Sequence, residues 1–244
     1  MNILHRQLAE INQTNWLVLV DKPLDWTSFD VVNKLRYKLK HRFGKKIKIG
    51  HAGTLDPKAT GLLLLCTAAY TKQIETLQGL DKTYTGTMTM GASTPSYDTE
   101  TTPDAFFPID TLNAEILREQ TQLFTGKISQ KPPIFSAIKQ DGKKLYEYAR
   151  KNESVELKAR ELRIHQFELT AINLPQVAFE VSCSKGTYIR SLVHDFGASL
   201  HNAAYLESLR RTRIGDFSVA SAWQIPELID FLDNIPVVLP HEGN

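Results

Sequence analysis

The sequence predicts an α+β fold, because segments with strand periodicity and segments with helical periodicity follow one another irregularly along the chain. A run with apolar residues at every second position, typical of a half-buried strand, comprises Val177, Phe179, Val181 and Cys183. An apolar run at helical spacing follows within a few residues and comprises Ile189, Leu192, Val193, Phe196 and Leu200. We therefore expect a mixed central β-sheet flanked by helices and loops.

The first third of the chain begins with a predicted buried strand at Trp16–Val20, followed by a polar turn. A helix is predicted next, with Ser28 as its N-cap and Asp30 in its first turn. Its apolar face has helical spacing and consists of Val31, Val32, Leu35 and Leu39. Thr83–Met90 alternates between threonines and larger side chains, which predicts another strand.

The rest of the chain is predicted to contain strands near residues 162–169 and 177–183, then a helix capped by Thr187. The polar segment 126–158 interrupts this pattern, so we interpret it as an insertion rather than as core. Residues 216–244 are too few for a further domain, and we expect a short tail with a helix at Pro226–Asn234. The sequence thus predicts one domain over residues 1–244.

The composition is that of an ordinary globular protein, with 42% hydrophobic and 23% charged residues. No apolar run approaches the ~18 residues of a membrane-spanning helix, and Met1–Trp16 contains no apolar secretory segment. Cys66 and Cys183 lie in apolar runs without metal-ligand spacing, which indicates reduced core residues of a cytoplasmic protein. No apolar stripe requires a partner subunit, so we expect a monomer.

The net charge of +2 conceals an asymmetry along the chain. Residues 216–244 contain five acids and no Lys or Arg, whereas residues 1–215 contain 29 cations against 22 acids. Residues 31–55 alone contain eight cations and no acid. Such a segment suits a polyanion, because each neutralised phosphate releases counterions, although a solvated helix face has the same composition.

The segment Gly50–Gly61 contains three glycines, a histidine and a proline around one aspartate, Asp56, directly before an apolar run. Loops on a rigid scaffold are frequent positions for reactive groups, which makes Asp56 a catalytic candidate. An aspartate before a proline is equally the pattern of a helix N-cap, so the local sequence leaves both interpretations open. A phosphate-binding P-loop is excluded, because no Gly-Lys-Ser/Thr follows.

Several ordered motifs over residues 15–215 resemble one known family. Gly50–Gly61 is similar to the GHxGxLDPxATG signature of the bacterial tRNA pseudouridine synthases of the B class, which modify uridine 55 in the TΨC loop. Further segments that resemble motifs of this family are Lys22-Pro23 with Thr27-Ser28, Lys82-Thr83-Tyr84, Lys131–Arg150, Gly186–Arg190 and Leu209–Thr212. The resemblance implies a pseudouridine synthase fold with an RNA-binding insertion.

Two positions depart from the family pattern. Asp25 stands where the family's KPxGxTS motif has a glycine, and Ala68–Lys72 replaces the usual GEATK segment. Neither position adjoins Asp56, so the departures concern local loop shape. Many relatives also have a C-terminal RNA-binding PUA domain, and the short acidic tail leads us to expect none here.

The resemblance implies catalytic roles for Asp56, Arg190 and Tyr84. Asp56 would act as the essential carboxylate, either as a nucleophile at ribose C1′ or as a base that removes a ribose proton. Arg190 would favour and orient the ionised carboxylate; it also lies in the first turn of its predicted helix, where the macrodipole disfavours a cation. Tyr84 would stack on the uracil and assist with its C5 proton.

The resemblance further implies a set of substrate-binding residues, namely His51, Lys22, Tyr188, Leu209 and Asp98. The reaction needs neither redox change nor phosphate energy, so no cofactor and no metal are expected. The partner is the TΨC stem-loop of tRNA, whose uridine must leave the base stack to reach the carboxylate. We place phosphate contacts on the basic helix Lys34–Lys48 and on Lys139–Lys158, which we predict to close over the loop as a lid.

Three alternatives remain open at this point. The same chemistry could act on another RNA site, or the chain could serve mainly as an RNA-binding or tRNA-folding chaperone. A carboxylate hydrolase of nucleosides or sugars is the third alternative. It would usually require a second acidic partner, and the nearest acids, Asp30 and Glu75, belong to no motif.

Overall fold

The computed structural model describes residues 3–4, 10–11, 13–136, 139–140, 142–150, 153, 155 and 157–238. Of the predicted insertion, residues 137, 138, 141, 151, 152, 154 and 156 lie outside the described residues, as does the predicted tail after residue 238. The chain forms two compact units, one of residues 1–80 and 210–244 and one of residues 81–209.

The described elements confirm the predicted α+β class. The strands are β1 (Leu17–Lys22), β2 (Ile49–His51), β3 (Ala59–Thr67), β4 (Lys82–Met90), β5 (Ala92–Ser93), β6 (Ala105–Phe106), β7 (Gly126–Gln130), β8 (Lys139–Gln140), β9 (Lys143–Lys144), β10 (Arg160–Asn173), β11 (Gln176–Cys183), β12 (Ala204–Ile214) and β13 (Phe217–Ser218). The α-helices are α1 (Ser28–Phe43), α2 (Ile74–Gly79), α3 (Ala114–Thr121), α4 (Leu145–Arg150), α5 (Ile189–Ser199) and α6 (Ile225–Asn234). Short 3-10 helices span Ala68–Gln73, Gln122–Phe124 and Val219–Ser221.

In the first unit, β3 pairs with both β1 and β2. It pairs antiparallel with β1, from Leu17 opposite Cys66 to Lys22 opposite Gly61, and antiparallel with the short β2. The apolar run Leu62–Cys66 of β3 is fully buried, which explains why its sequence is continuous rather than alternating. β2 and β3 therefore fix both ends of the loop that contains Asp56.

Helix α1 begins one residue away from the predicted cap. Thr27 is the N-cap and forms a capping box with Asp30, so the prediction of Ser28 was wrong. Thr27 and Ser28 both have a hydroxyl group, but the Ser28 side chain is only 2% exposed and forms a hydrogen bond with the Asp56 loop instead. At its other end the helix stops at Gly44, whose φ of 65° is in the left-handed region that favours glycine.

The second unit contains the antiparallel strands β4, β11, β10 and β7, paired in that order. The predicted alternation is confirmed in β11, where Val177, Phe179, Val181 and Cys183 are all buried. Register shifts interrupt the pairing of β10 with β11 at two places. β7 covers the first residues of the predicted insertion, and its register with β10 shows that 126–130 belongs to the sheet.

Other predictions of local structure have mixed outcomes. The C-terminal helix is confirmed as α6, which begins with Pro226 in its first turn. The predicted helix from residue 189 is confirmed as α5, but Tyr188 is its N-cap. The Thr187 hydroxyl donates to the Ser184 carbonyl oxygen instead, so the predicted cap was wrong.

Both cysteines are free thiols in buried positions. In the described part of the chain, no helix combines the length and apolar character needed to span a membrane.

Candidate active site

The Asp56 loop connects β2 to β3 in the first unit. Asp56 is half-buried, and its carbonyl oxygen accepts a hydrogen bond from Ala59 N at 3.1 Å, which closes a turn. β3 then begins at Ala59, so no helix follows Pro57. The helix-cap interpretation of the Asp-Pro pair is therefore excluded.

Ser28 connects the start of α1 to this loop. Its Oγ accepts a hydrogen bond from Leu55 N at 2.8 Å and donates to Leu55 O at 3.1 Å. Both groups are buried, so water does not compete for these bonds. The residue directly before Asp56 is thereby fixed through both of its backbone polar groups.

Lys22 fixes the other side of the loop. Its side chain is fully buried, and Nζ donates to the carbonyl oxygens of Pro23 at 2.9 Å, Trp26 at 2.6 Å and Pro57 at 3.4 Å. Burial lowers the pKa of Lys22 to about 8, and the negative charge of Asp56 is the largest influence in the opposite direction. Lys22 was predicted to line the pocket; its contacts support the backbone that presents Asp56.

Arg211 is a site residue that the sequence analysis missed. Its side chain is buried, and Nε donates to Leu62 O at 2.8 Å, with Nη2 to Gly53 O at 3.1 Å and a longer contact of 3.5 Å from Nη1 to Thr54 O. All three acceptors are carbonyl oxygens of the Asp56 loop or of β3. The position within the LRRT motif was the available signal, but only Leu209 was selected from it.

His51 lies at the end of β2 and is half-buried. Burial is the main reason that the pKa of His51 is lowered; the positive charge of Arg211 adds to this, and a hydrogen bond with the Gly53 backbone opposes it. Among the described residues, its buried Nδ1 has no hydrogen-bond partner. The first unit thus brings Lys22, His51 and Arg211 together around the Asp56 loop.

In the second unit, Arg190 and Asp98 form a buried ion pair. Arg190 Nε lies 3.5 Å from Asp98 Oδ2, and the two side chains are only 5% and 6% exposed. The Asp98 carboxylate also accepts hydrogen bonds from Ser96 Oγ at 2.6 Å and Glu100 N at 2.9 Å. Asp98 was predicted to contact RNA and Arg190 to partner Asp56; the structure joins the two predicted residues to each other.

The turn before Asp98 is held by further contacts. Tyr97 has a left-handed φ of 63°, uncommon for a residue other than glycine, and its ring stacks on His194 with centroids 3.8 Å apart. His194 lies one helical turn after Arg190 in α5. Ser96 O accepts a hydrogen bond from Arg190 Nη1 at 3.3 Å. The Asp98 turn and α5 are therefore joined by an ion pair, a hydrogen bond and a ring stack.

The remaining predicted site residues also lie in the second unit. Tyr188 is held through its backbone, because Gln130 accepts from its N at 2.9 Å and donates to its O at 3.1 Å. Tyr84 is buried on β4 opposite Val181, and Leu209 is half-exposed on β12. The predicted partnership of Asp56 with Arg190 joins residues of different units and stays a prediction. Among the described residues, no group of three His, Cys, Asp or Glu side chains could hold a metal ion.

Comparison with known proteins identifies relatives over most of the chain. Residues 40–189 match the family described as TruB family pseudouridylate synthase (N terminal domain). The chain is 56% identical over 211 residues to a tRNA pseudouridine synthase B of Flavobacterium johnsoniae, with 86% of this chain and 92% of the relative covered. It is 50% identical over 214 residues to a protein of the same name from Phocaeicola vulgatus, with 87% and 91% covered.

Solved structures show the same fold. A chain of a Cbf5-Nop10-Gar1 complex superposes with a TM-score of 0.67 at 25% identity, covering 94% of this chain and 60% of that one. A chain from an H/ACA RNP bound to a substrate RNA containing 2′-deoxyuridine gives 0.63 at 25% identity, covering 88% and 52%. The chain therefore spans only about half to three fifths of these two structural neighbours.

Proposed function

Because the chain belongs to the TruB family of pseudouridylate synthases, we propose that it isomerises uridine 55 in the TΨC loop of tRNA to pseudouridine, with Asp56 as the catalytic carboxylate. The main support is the construction of the Asp56 loop. Buried donors and acceptors from Ser28, Lys22 and Arg211 hold its backbone, so the main chain that carries the half-buried Asp56 has a fixed position.

The reaction is an isomerisation in which no atoms are gained or lost. The bond between uracil N1 and ribose C1′ breaks, the base turns, a bond from C5 to C1′ forms, and C5 loses its proton while N1 acquires one. Asp56 serves either as the nucleophile at C1′ or as the base that removes a ribose proton. Both routes require an ionised carboxylate, and the negative charge of Asp56 interacts with the positive charge of Lys22.

We propose that the second unit supplies the groups that act on the base. Tyr84 stacks on the turned uracil and assists with its C5 proton, while Tyr188 and Leu209 pack against it. Arg190 orients the carboxylate of Asp56, and its pairing with Asp98 supports this role because a buried guanidinium with a fixed partner has little freedom to move. His51 occupies space beside the displaced nucleotide.

The RNA must present the uridine outside its stack, at a cost of a few kcal/mol. We propose that phosphates are contacted by the basic residues of Lys34–Lys48 and by the insertion, which closes over the tRNA loop. Both compact units belong to one catalytic domain in this proposal, because the family motifs are distributed over both. We further propose that the protein is cytoplasmic, which its two free, buried thiols support, and that it acts as a monomer.

The test uses a tRNA transcript labelled with tritium at uridine C5, with the wild type and Asp56→Asn compared. Release by the wild type alone, mapped to the TΨC loop, is expected. Release mapped to another site would assign a different uridine, and equal release by Asp56→Asn would remove that residue from its role. Binding of tRNA without any release by the wild type would favour the chaperone alternative.

A further inference from the structure

The outward face of α1 combines aromatic and basic side chains. Phe29 and Tyr37 are 57% and 66% exposed, although large aromatic rings usually find burial or a partner. They lie eight residues apart on one helical face, about 12 Å along the axis. We refer to this surface as the aromatic-basic face; its residues, at positions i, i+4, i+7, i+8, i+11 and i+12, are Phe29, Asn33, Arg36, Tyr37, Lys40 and His41.

Local contacts orient the two rings. Arg36 Cζ lies 5.7 Å from the centroid of the Phe29 ring, within the range of a cation–π interaction, and Arg36 is itself held by Asn33 Oδ1 at 2.7 Å. The Tyr37 ring lies 4.3 Å from that of His41. Both rings thus have a neighbour along the helix and remain more than half exposed.

The surroundings of this face are positively charged. Some cations of residues 31–55 contact other parts of the first unit: Lys38 pairs with Asp233, and Arg42 donates to the Ile235 carbonyl oxygen. The cations exposed to solvent are Lys34, Lys40, Lys45, Lys46 and Lys48. Exposed rings within a cationic surface are the arrangement by which proteins bind unpaired nucleotides, with bases on the rings and phosphates on the lysines.

The aromatic-basic face begins beside the proposed catalytic loop. Ser28, the residue before Phe29, is hydrogen-bonded in both directions to Leu55, the residue before Asp56. An RNA that delivers a uridine to Asp56 therefore places its neighbouring nucleotides near the start of α1. A protein partner would have to supply acids along this face, whereas RNA supplies both the negative charge and the aromatic surfaces.

We propose that the aromatic-basic face binds unpaired nucleotides of the substrate RNA, with bases stacked on Phe29 and Tyr37. This inference rests on the proposed function, because it takes the substrate to be a looped RNA. It adds a base-stacking surface to the phosphate contacts already assigned to α1. Its distinctive consequence is an affinity contribution that does not depend on salt.

The experiment measures the Kd of the full-length chain for unmodified tRNA by fluorescence anisotropy at several salt concentrations. Phe29→Leu and Tyr37→Leu are each expected to weaken binding about tenfold without changing the slope of log Kd against log salt. The pair Lys34→Gln with Lys40→Gln is expected to reduce that slope by between one and two. Tyr37→Trp retains a stacking surface and should bind as the wild type does.

Phe106→Leu is the matched control, because Phe106 is 78% exposed but lies outside the basic segment. Thermal melting checks that each variant is folded, and the exposure of the replaced rings predicts unchanged stability. Unchanged affinity in both aromatic variants, or equal weakening by Phe106→Leu, would overturn the inference. The tritium assay separates the two proposals: a wild type that binds tRNA through these rings but releases no tritium contradicts the proposed function alone.

Discussion

Each of the two compact units contains a buried arginine, but the partners of the two arginines differ in kind. Arg211 in the first unit is 1% exposed, and among the described residues its recorded partners are all carbonyl oxygens. Arg190 in the second unit has the Asp98 carboxylate beside it, with both side chains almost fully buried. Arg211 therefore stabilises the backbone around the Asp56 loop, whereas the charge of Arg190 is balanced by a neighbouring acid.

This difference has electrostatic consequences. Carbonyl partners do not neutralise the charge of Arg211. Burial is the main cause of the lowered pKa values of Lys22 and His51, and the charge of Arg211 adds to both shifts. The Asp56 loop thus has two buried cationic side chains, Lys22 and Arg211, bonded to its backbone. In the second unit, the Asp98–Arg190 pair limits the movement of a guanidinium at the start of α5. The first unit thus has an arginine held by carbonyl oxygens, and the second has an arginine held by an acid.

The largest expected effect is the loss of stability when either arginine is replaced. The two losses should differ in whether a second substitution can restore stability. Arg190→Met leaves the Asp98 carboxylate buried without this partner and should lower the free energy of unfolding by about 3–5 kcal/mol. Asp98→Asn in that background removes the buried charge and should recover much of the loss. Arg211→Met should cost about 3 kcal/mol, because the buried Leu62 O and the partly buried carbonyl oxygens of Gly53 and Thr54 lose their donor.

Denaturant unfolding of the two single variants and the Arg190→Met/Asp98→Asn double variant measures these differences. Adding Asp98→Asn to Arg211→Met is the control, and it should bring no recovery. If that control did recover stability, the two arginines would not act separately and the comparison would fail.

The second prediction concerns glycines that let Arg211 approach the loop. Gly61 has a φ of 103°, and an added Cβ would lie 2.3 Å from Arg211 O. Gly61→Ala should therefore destabilise the protein by at least about 2 kcal/mol. Gly53 has a similar φ of 101°, but its added Cβ would lie 3.7 Å from Arg211 Nη1, so Gly53→Ala should cost only about 1 kcal/mol. Equal losses in thermal unfolding would show that the close approach is unimportant.

Sequence periodicity predicted β4, β10 and β11 and the helices α1 and α5, because burial of one face leaves a repeating apolar pattern. The role of Arg211 could not be predicted in this way, since its acceptors are carbonyl oxygens near residues 53–62, and a carbonyl acceptor places no requirement on side-chain type. Asp25 shows the opposite case. It replaces a family glycine and has a φ of 63°, a conformation that aspartate tolerates better than most residues. The change from glycine to Asp25 is therefore compatible with the left-handed backbone conformation at this position.

The third prediction tests the rigidity of the second unit. Tyr97→Leu removes the stack on His194 while keeping the left-handed backbone, and a stacked pair contributes about 1 kcal/mol. We expect kcat for pseudouridine formation to fall about tenfold with KM unchanged, because the Asp98 turn no longer holds Arg190 in one position. Tyr97→Phe retains the ring and should restore kcat. A higher KM with unchanged kcat would instead indicate an RNA contact.

The smallest expected effect is a pH dependence in the first unit. The pKa of Lys22 is lowered to about 8 from its ordinary 10.5, mainly by burial. Below pH 8 the folded and unfolded chains both hold this proton, so the contribution of Lys22 to stability is constant. Between pH 8 and 10.5 the folded protein releases the proton while the unfolded chain keeps it, so this contribution increases with pH.

Urea unfolding of the wild type and Lys22→Met from pH 7 to pH 10 isolates this contribution. The variant lacks the donors to Pro23 O and Trp26 O and should be less stable throughout, and its deficit should grow above pH 8. Lys48→Met, at an exposed position, should follow the wild type at every pH. A deficit that shrinks with pH would mean that the attraction of Asp56 outweighs burial and the charge of Arg211. The Asp56 loop would then be electrostatically balanced, as the Arg190–Asp98 pair is, and the contrast between the two units would be lost.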